Sequence, residues 1–307
     1  MATNPIPALQ SLGYTKREAA FLYLVAAHSG YFVRRQFDYF IDRVAGAIAQ
    51  NFLEKARGAG HIEIIEYQNG YRVYHLFAKP IYRLLGNPES QNRRRKGDAA
   101  IRARLIVLDF VLENENSRFL ESEEERFEFF AKTRAIPQKL FTDGNGQVLP
   151  LLRSIPISLA DREHSASSLV CFLFADEALI TIEKFKRFLS VAGPLLRAIR
   201  NFEMVYASNS RQNFAEAQRE FRKNFFPRHV DDRQSSFADW RNNSQPPARN
   251  DQPLQAKFIT LLYKFSYPKI RRKEGASLSA SRPSELLPES EVTPTEVDSK
   301  STRSSAG

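Results

Sequence analysis

A single cysteine, Cys171, in a chain of 307 residues excludes an intramolecular disulfide framework. It falls inside the apolar run 169–174, where a buried small hydrophobe is expected rather than a nucleophile. No apolar stretch approaches the roughly 18 residues that a membrane-spanning helix needs. The N-terminal stretch also lacks a secretory h-region, so a soluble, cytoplasmic protein with no membrane partner is expected. Catalytic signatures are missing as well. His28, His61, His75, His164 and His229 are scattered, with no H-x-x-x-H, C-x-x-C or G-x-S-x-G. Gly144-Asn145-Gly146 has neither the length nor the Lys-Ser/Thr of a phosphate-binding loop. No cofactor and no metal site are implied.

The organised part begins at residue 15. Ala19, Ala20, Leu22, Tyr23 and Ala26 recur at helical spacing, and Thr15 with Glu18 forms a capping box, so a helix over 15–29 closed by Gly30 is predicted. A second helix over 33–40 takes Phe32, Phe37, Phe40 and Ile41 as its apolar side. A third over 47–58 takes Ile48, Phe52, Leu53 and Ala56 as a buried stripe, leaving Gln50, Asn51, Glu54, Lys55 and Arg57 for its other faces. The runs 62–67 and 71–76 are β-branched and aromatic and flank Asn69-Gly70, a favoured hairpin turn. Three helices and a hairpin in that order predict a winged helix-turn-helix.

Charge is unevenly spread. Lys and Arg outnumber Asp and Glu by 10 to 6 over residues 1–86, 6 to 2 over 87–104 and 14 to 7 over 211–274, but fall to 4 against 8 over 105–135. With a formal net charge of +10, this distribution favours a polyanionic partner. Residues 87–135 read as a basic linker, including Arg93-Arg94-Arg95-Lys96 as a phosphate-contacting arm, followed by helices over 99–112 and 121–132. Residues 136–230 read as a small α/β domain. Its strands are expected over 139–142, 154–158, 169–174 and 202–207 and its helices over 181–191 and 213–224, with at least one parallel pairing. Residues 231–274 form a partly ordered basic segment with one helix over 254–264. The Ser/Glu/Pro/Thr-rich tail 275–307 is expected to be disordered. The fold class is thus α+β or α/β, with the winged unit first.

Residues 15–86 resemble winged-helix DNA-binding regulators, in which Leu53-Glu54-Lys55 to Gly60-His61-Ile62 matches the usual exit from recognition helix to strand. More distantly, the chain resembles the replication-relaxation proteins of bacterial mobile elements. The matching stretches are Gly30-Tyr31-Phe32-Val33-Arg34-Arg35-Gln36, Leu108-Asp109-Phe110-Val111-Leu112 and the strand ending Phe174-Ala175-Asp176. That resemblance implies a winged helix joined to an α/β domain of degenerate nuclease type.

The leading expectation is a non-enzymatic, sequence-specific binder of double-stranded DNA in transcription or replication control. Arg43, Gln50, Asn51 and Lys55 would read or anchor in the major groove. Arg72 and either Arg34 or Arg35 would contact phosphate, with Arg57 and His61 beside them. Two alternatives remain. A metal-dependent nuclease would use Asp143, Asp176 and Glu177, although the acid-x-Lys of such sites is absent. A winged-helix protein–protein module is the other, and a homodimer stays open.

Overall fold

Phe21, Phe32, Phe37 and Phe52 meet at the centre of the N-terminal elements. Phe37 stacks on Phe52 at 4.2 Å, and Phe21 stands edge-on to the other three. The computed structural model describes residues 5–42, 46–67, 70–160, 168–176, 181–226 and 254–263. Within it the first half runs α1 (Pro5–Gln10), α2 (Lys16–Leu24), β1 (Tyr31–Phe32), α3 (Arg34–Phe40), α4 (Ala47–Gly58), β2 (Ile62–Glu66), β3 (Arg72–Leu76), α5 (Lys79–Leu84) and α6 (Asp98–Glu113). The expected capping box opens α2, with Thr15 and Glu18 each bonded to the other's backbone N–H. β2 and β3 pair antiparallel from Ile62↔Leu76 to Glu66↔Arg72, and β1 adds to β3, giving the order β1-β3-β2. The hairpin closes across residues 68–70, of which Gln68 and Asn69 lie outside the described residues.

Instead of continuing as α-helix to residue 29, α2 widens into a π-helical turn, Val25–Ser29. That turn leaves carbonyls unpaired, and the Asn92 side-chain amide donates to two of them, Ala26 at 3.0 Å and Ala27 at 2.9 Å. Gly30 closes the turn at φ +78°, and any Cβ there would run into the Asn92 carbonyl. Only glycine fits both demands. In α4 the buried stripe is Ala49, Phe52, Leu53 and Ala56, whereas Ile48 is half exposed. The expected stripe was thus out of phase at its start, because Ile48 lies about 100° of helical rotation from Ala49.

The second half runs β4 (Arg118–Phe119), α7 (Glu123–Glu128), α8 (Pro150–Ser154), β5 (Ile157–Leu159), β6 (Val170–Ala175), α9 (Glu183–Ile199), β7 (Asn201–Ser208), α10 (Phe214–Phe225) and β8 (Gln255–Leu262). The strands form one mixed sheet in the order β4-β5-β6-β7-β8, antiparallel up to β6 and parallel from β6 to β8. Parallel pairing was therefore read correctly. Several local expectations were not. The stretch expected as a helix over 254–264 is strand β8. Its residues Ala256 and Phe258 pack with α9 and α10, while Ile259 and Leu261 pack on the opposite face. Gln255 and Lys257 are exposed and alternate with Ala256 and Phe258, but the nearly apolar run 258–262 breaks that alternation and imitates a helix. Residues 139–142 make a 3-10 turn and one bridge, Thr142↔Val148, rather than a strand. Pro150 opens α8 through Ser154, which displaces the next strand to Ile157–Leu159. The helix expected over 121–132 ends at Glu128 and continues as a second π-helical turn, Phe129–Thr133.

α6 explains why the segments do not separate. Leu108 and Leu112 complete the core of the N-terminal elements. Ile101, Leu105, Ile106 and Phe110 share a second core with Tyr31, Tyr67 and Val73 on one side and Leu173, Val205 and Ala207 of the sheet on the other. The helix expected in a connector is therefore a central layer, buried almost all round. β4, from the expected linker segment, and β8, from the segment after residue 230, belong to the same sheet as β5–β7. Met1–Arg272 accordingly forms one compact unit, and the tail expected to be disordered lies outside the described residues. No helix among the described residues is long and apolar enough to cross a membrane.

Candidate nucleic-acid interface

The buried stripe of α4 fixes what the helix offers outward. At 100° per residue, Asn51, Glu54 and Gly58 sit opposite that stripe, Gln50 and Arg57 flank them on one side, and Ile48 and Lys55 on the other. All of these residues are exposed. Gln50 donates to Glu54 Oε1 at 2.5 Å, an i,i+4 bond that joins two neighbours on this face. Asn51 and Arg57 have no side-chain partner among the described residues. Sequence reasoning placed Glu54 off the site and Ile48 in the core, and it passed over Tyr39, which is 60% exposed on α3. The phase of Ala49 against Phe52 was the signal that could have found Ile48.

The basic residues divide into committed and free. Lys55 Nζ lies 2.7 Å from Glu18, 3.4 Å from the Gly13 carbonyl and over the Tyr14 ring, so it ties α4 to the start of α2. Arg35 forks onto Asp109 of α6 through bonds of 3.1 and 2.9 Å, and Gln36 donates to the same carboxylate at 2.7 Å. Arg35 is therefore a packing residue between α3 and α6, not a free phosphate contact. His61 needs the same correction. It is buried, with Nδ1 2.7 Å from the Tyr14 hydroxyl, and burial lowers its pKa, which favours a neutral ring. Arg34 is exposed at the first turn of α3, reaching Asp38 at 3.5 Å and the Gly46 carbonyl at 3.1 Å. Arg72 on β3 pairs with Glu66 at 3.0 Å, both ends in solvent. Such exposed pairs hold loosely, typically about 0–1 kcal/mol, and can be exchanged for another anion. Arg43 lies outside the described residues.

No family model, curated protein or solved structure matches the chain.

The expected basic arm at 93–96 is docked rather than extended. Arg95 forks onto Glu63 of β2 at 3.0 and 2.9 Å, and the Lys96 N–H donates to the Tyr31 hydroxyl. Tyr31 in turn stacks on His75 at 4.3 Å, and His75 Nδ1 lies 2.9 Å from Glu63. Arg94 alone of this run keeps an exposed side chain with no partner among the described residues.

Asp143 and Asp176, the described acids of the nuclease alternative, are each engaged in local structure. Asp143 holds its own turn, accepting from the Asn145 and Gln147 N–H groups at 2.9 and 3.0 Å. Asp176 is buried at the end of β6, with Ser208 Oγ at 3.3 Å and Asn213 Nδ2 at 3.4 Å. Glu177 lies outside the described residues. Among the described residues no group of three His, Cys, Asp or Glu could hold a metal ion.

Proposed function

We propose that residues 15–86 form a winged helix-turn-helix that binds double-stranded DNA sequence-specifically, in control of transcription or replication. One observation carries this reading: α4 turns Asn51, Gln50, Glu54 and Arg57 to solvent beside a two-stranded ribbon, with its apolar side fully used in the core. A helix of this kind fits the major groove, with the ribbon along the backbone. Asn51 is the prime candidate for base reading, since its amide can pair bidentately with adenine, and Glu54 can accept from the cytosine amino group. Gln50 needs only to exchange its bond to Glu54. Arg34, Arg57 and Arg72 supply phosphate contacts, which position the protein without reading sequence. Lys55, Arg35 and His61 hold the unit together.

The test is selection of bound fragments from a random duplex pool by the purified full chain, followed by fluorescence anisotropy on the selected and scrambled duplexes. Enrichment of one motif, bound more tightly than its scramble, is expected. A pool that never enriches, with no binding at low salt, would refute the reading.

A further inference from the structure

A half-open cavity of about 400 Å³ lies at the edge of the N-terminal core, beside the end of α2. Its wall is built from Tyr23 and Leu24 of α2, Phe40 at the end of α3, Leu112 of α6 and Phe119 of β4, with His28 on the π-helical turn. That volume is in the range of pockets that hold small organic molecules, roughly 300–1,000 Å³. The apolar wall would take a hydrocarbon or aromatic body, and Phe119 and His28 already meet edge-on at 5.0 Å.

The polar groups select the charge. Glu115, Glu121 and Glu125 line the cavity against one permanent cation, Arg118, which stands 3.6 Å from Glu125. Glu125 is occupied, because its second oxygen caps α7 by accepting the Glu121 and Ser122 N–H groups. Glu121 accepts from the Tyr23 hydroxyl. The His28 side chain is 6% exposed, and its Nε2 lies 3.3 Å from Glu121 Oε1 yet makes no hydrogen bond. That ring nitrogen is sealed from solvent behind Glu121, whose own side chain is 29% exposed where it lines the cavity. A primary ammonium carries three donors and can reach the exposed part of that carboxylate. The π-helical turn is what brings His28 to this wall, and such turns inside helices recur at functional sites.

We infer that this cavity is a binding site for a small organic cation, an aliphatic or aromatic primary amine whose ammonium is held by Glu121 and whose body lies against Phe40, Leu112 and Phe119. This goes beyond the DNA reading and does not depend on it. Tryptamine is a suitable probe, with tryptophol and indole-3-acetate as its neutral and anionic counterparts.

Calorimetric titration of the full chain with each compound tests the charge, and amide chemical shifts locate the site. Saturable one-to-one binding of tryptamine is expected, with shifts at His28, Leu112 and Phe119, at least about tenfold tighter than tryptophol and with no binding of indole-3-acetate. Glu121→Gln should weaken tryptamine by about tenfold or more and leave tryptophol little changed. Because Glu121 also anchors Tyr23, Ser117→Trp provides a second variant, filling the cavity from its rim without touching the acid and abolishing binding of both. Absence of saturable tryptamine binding, equal affinity for tryptamine and tryptophol, or shifts located elsewhere would each overturn the assignment.

Discussion

The guanidinium of Arg35 meets the carboxylate of Asp109 in two parallel hydrogen bonds of 3.1 and 2.9 Å, and so fastens α3 to α6 across 74 residues of sequence. Asp109 is 5% exposed, so removing Arg35 takes the guanidinium away from a buried carboxylate that still accepts from Gln36. Arg35→Ala is expected to cost about 2 kcal/mol, below the usual figure for a fully buried pair because the Arg35 side chain is 32% exposed. Urea unfolding reads this directly. An unchanged midpoint would mean that water replaces the arginine and that α6 is held by its apolar face alone.

Gly30 makes a second mechanical prediction. Gly30→Ala would force a side chain into φ +78° and into the Asn92 carbonyl, separating the π-helical turn from the segment that satisfies it. Strain and clash together should cost more than about 2 kcal/mol. Gly13→Ala has the same left-handed backbone but open space around it, so it should cost less. Equal losses for the two variants would show that backbone strain, not the Asn92 contact, sets the cost.

What could be read from the sequence was local. The capping box of α2, the ends of α4 and the two hairpin strands each depend on residues within a few positions of one another, and they fall where expected to within a residue. β8 was misread because its alternation is confined to 255–258, and the nearly apolar run 258–262 that follows does not carry the period of a strand. The partners of Arg35 and His61 were missed for a different reason. These partners, Asp109 and Tyr14, lie 74 and 47 residues away, and a cation or an imidazole near α4 carries no sign in the sequence of a distant partner. For the same reason α6 reads as a connector, since only the folded chain shows that both of its sides are in contact.

Acid should loosen the hairpin in a defined window. The hydrogen bond from His75, reinforced by Arg95, holds the Glu63 carboxyl down at about 2, from an ordinary value near 4.5. A depressed carboxyl contributes its full stability above the unfolded value and loses it as pH falls toward the folded one. The stability gap between the wild type and Glu63→Gln should be constant above about pH 5 and shrink steadily between about pH 4.5 and 2. His61, whose pKa burial lowers, acts in the same direction at higher pH and equally in both proteins, so it cancels from the gap. A gap that does not change with acid would remove Glu63 from the account of the hairpin.

Base reading and phosphate anchoring separate in a salt titration on the selected duplex and its scramble. Asn51→Ala should weaken the selected site by about 1–3 kcal/mol and relax preference at one base position, with little change on the scramble, because the amide carries no charge. Gln50→Ala should have the smaller effect, since its bond to Glu54 points it along the helix surface. Arg34→Ala, Arg57→Ala and Arg72→Ala should each weaken both duplexes alike and flatten the dependence of log affinity on log salt by about one unit per lost contact. Arg35→Ala should lower stability without changing that slope. Arg219, Arg222 and Lys223 on α10 provide the control: α10 packs on the face of the sheet opposite α6, so their joint replacement by alanine should leave the selected complex intact. If the α10 triple variant flattens the slope and the α4 and β3 variants do not, the DNA lies on the far side of the sheet and the reading of α4 fails.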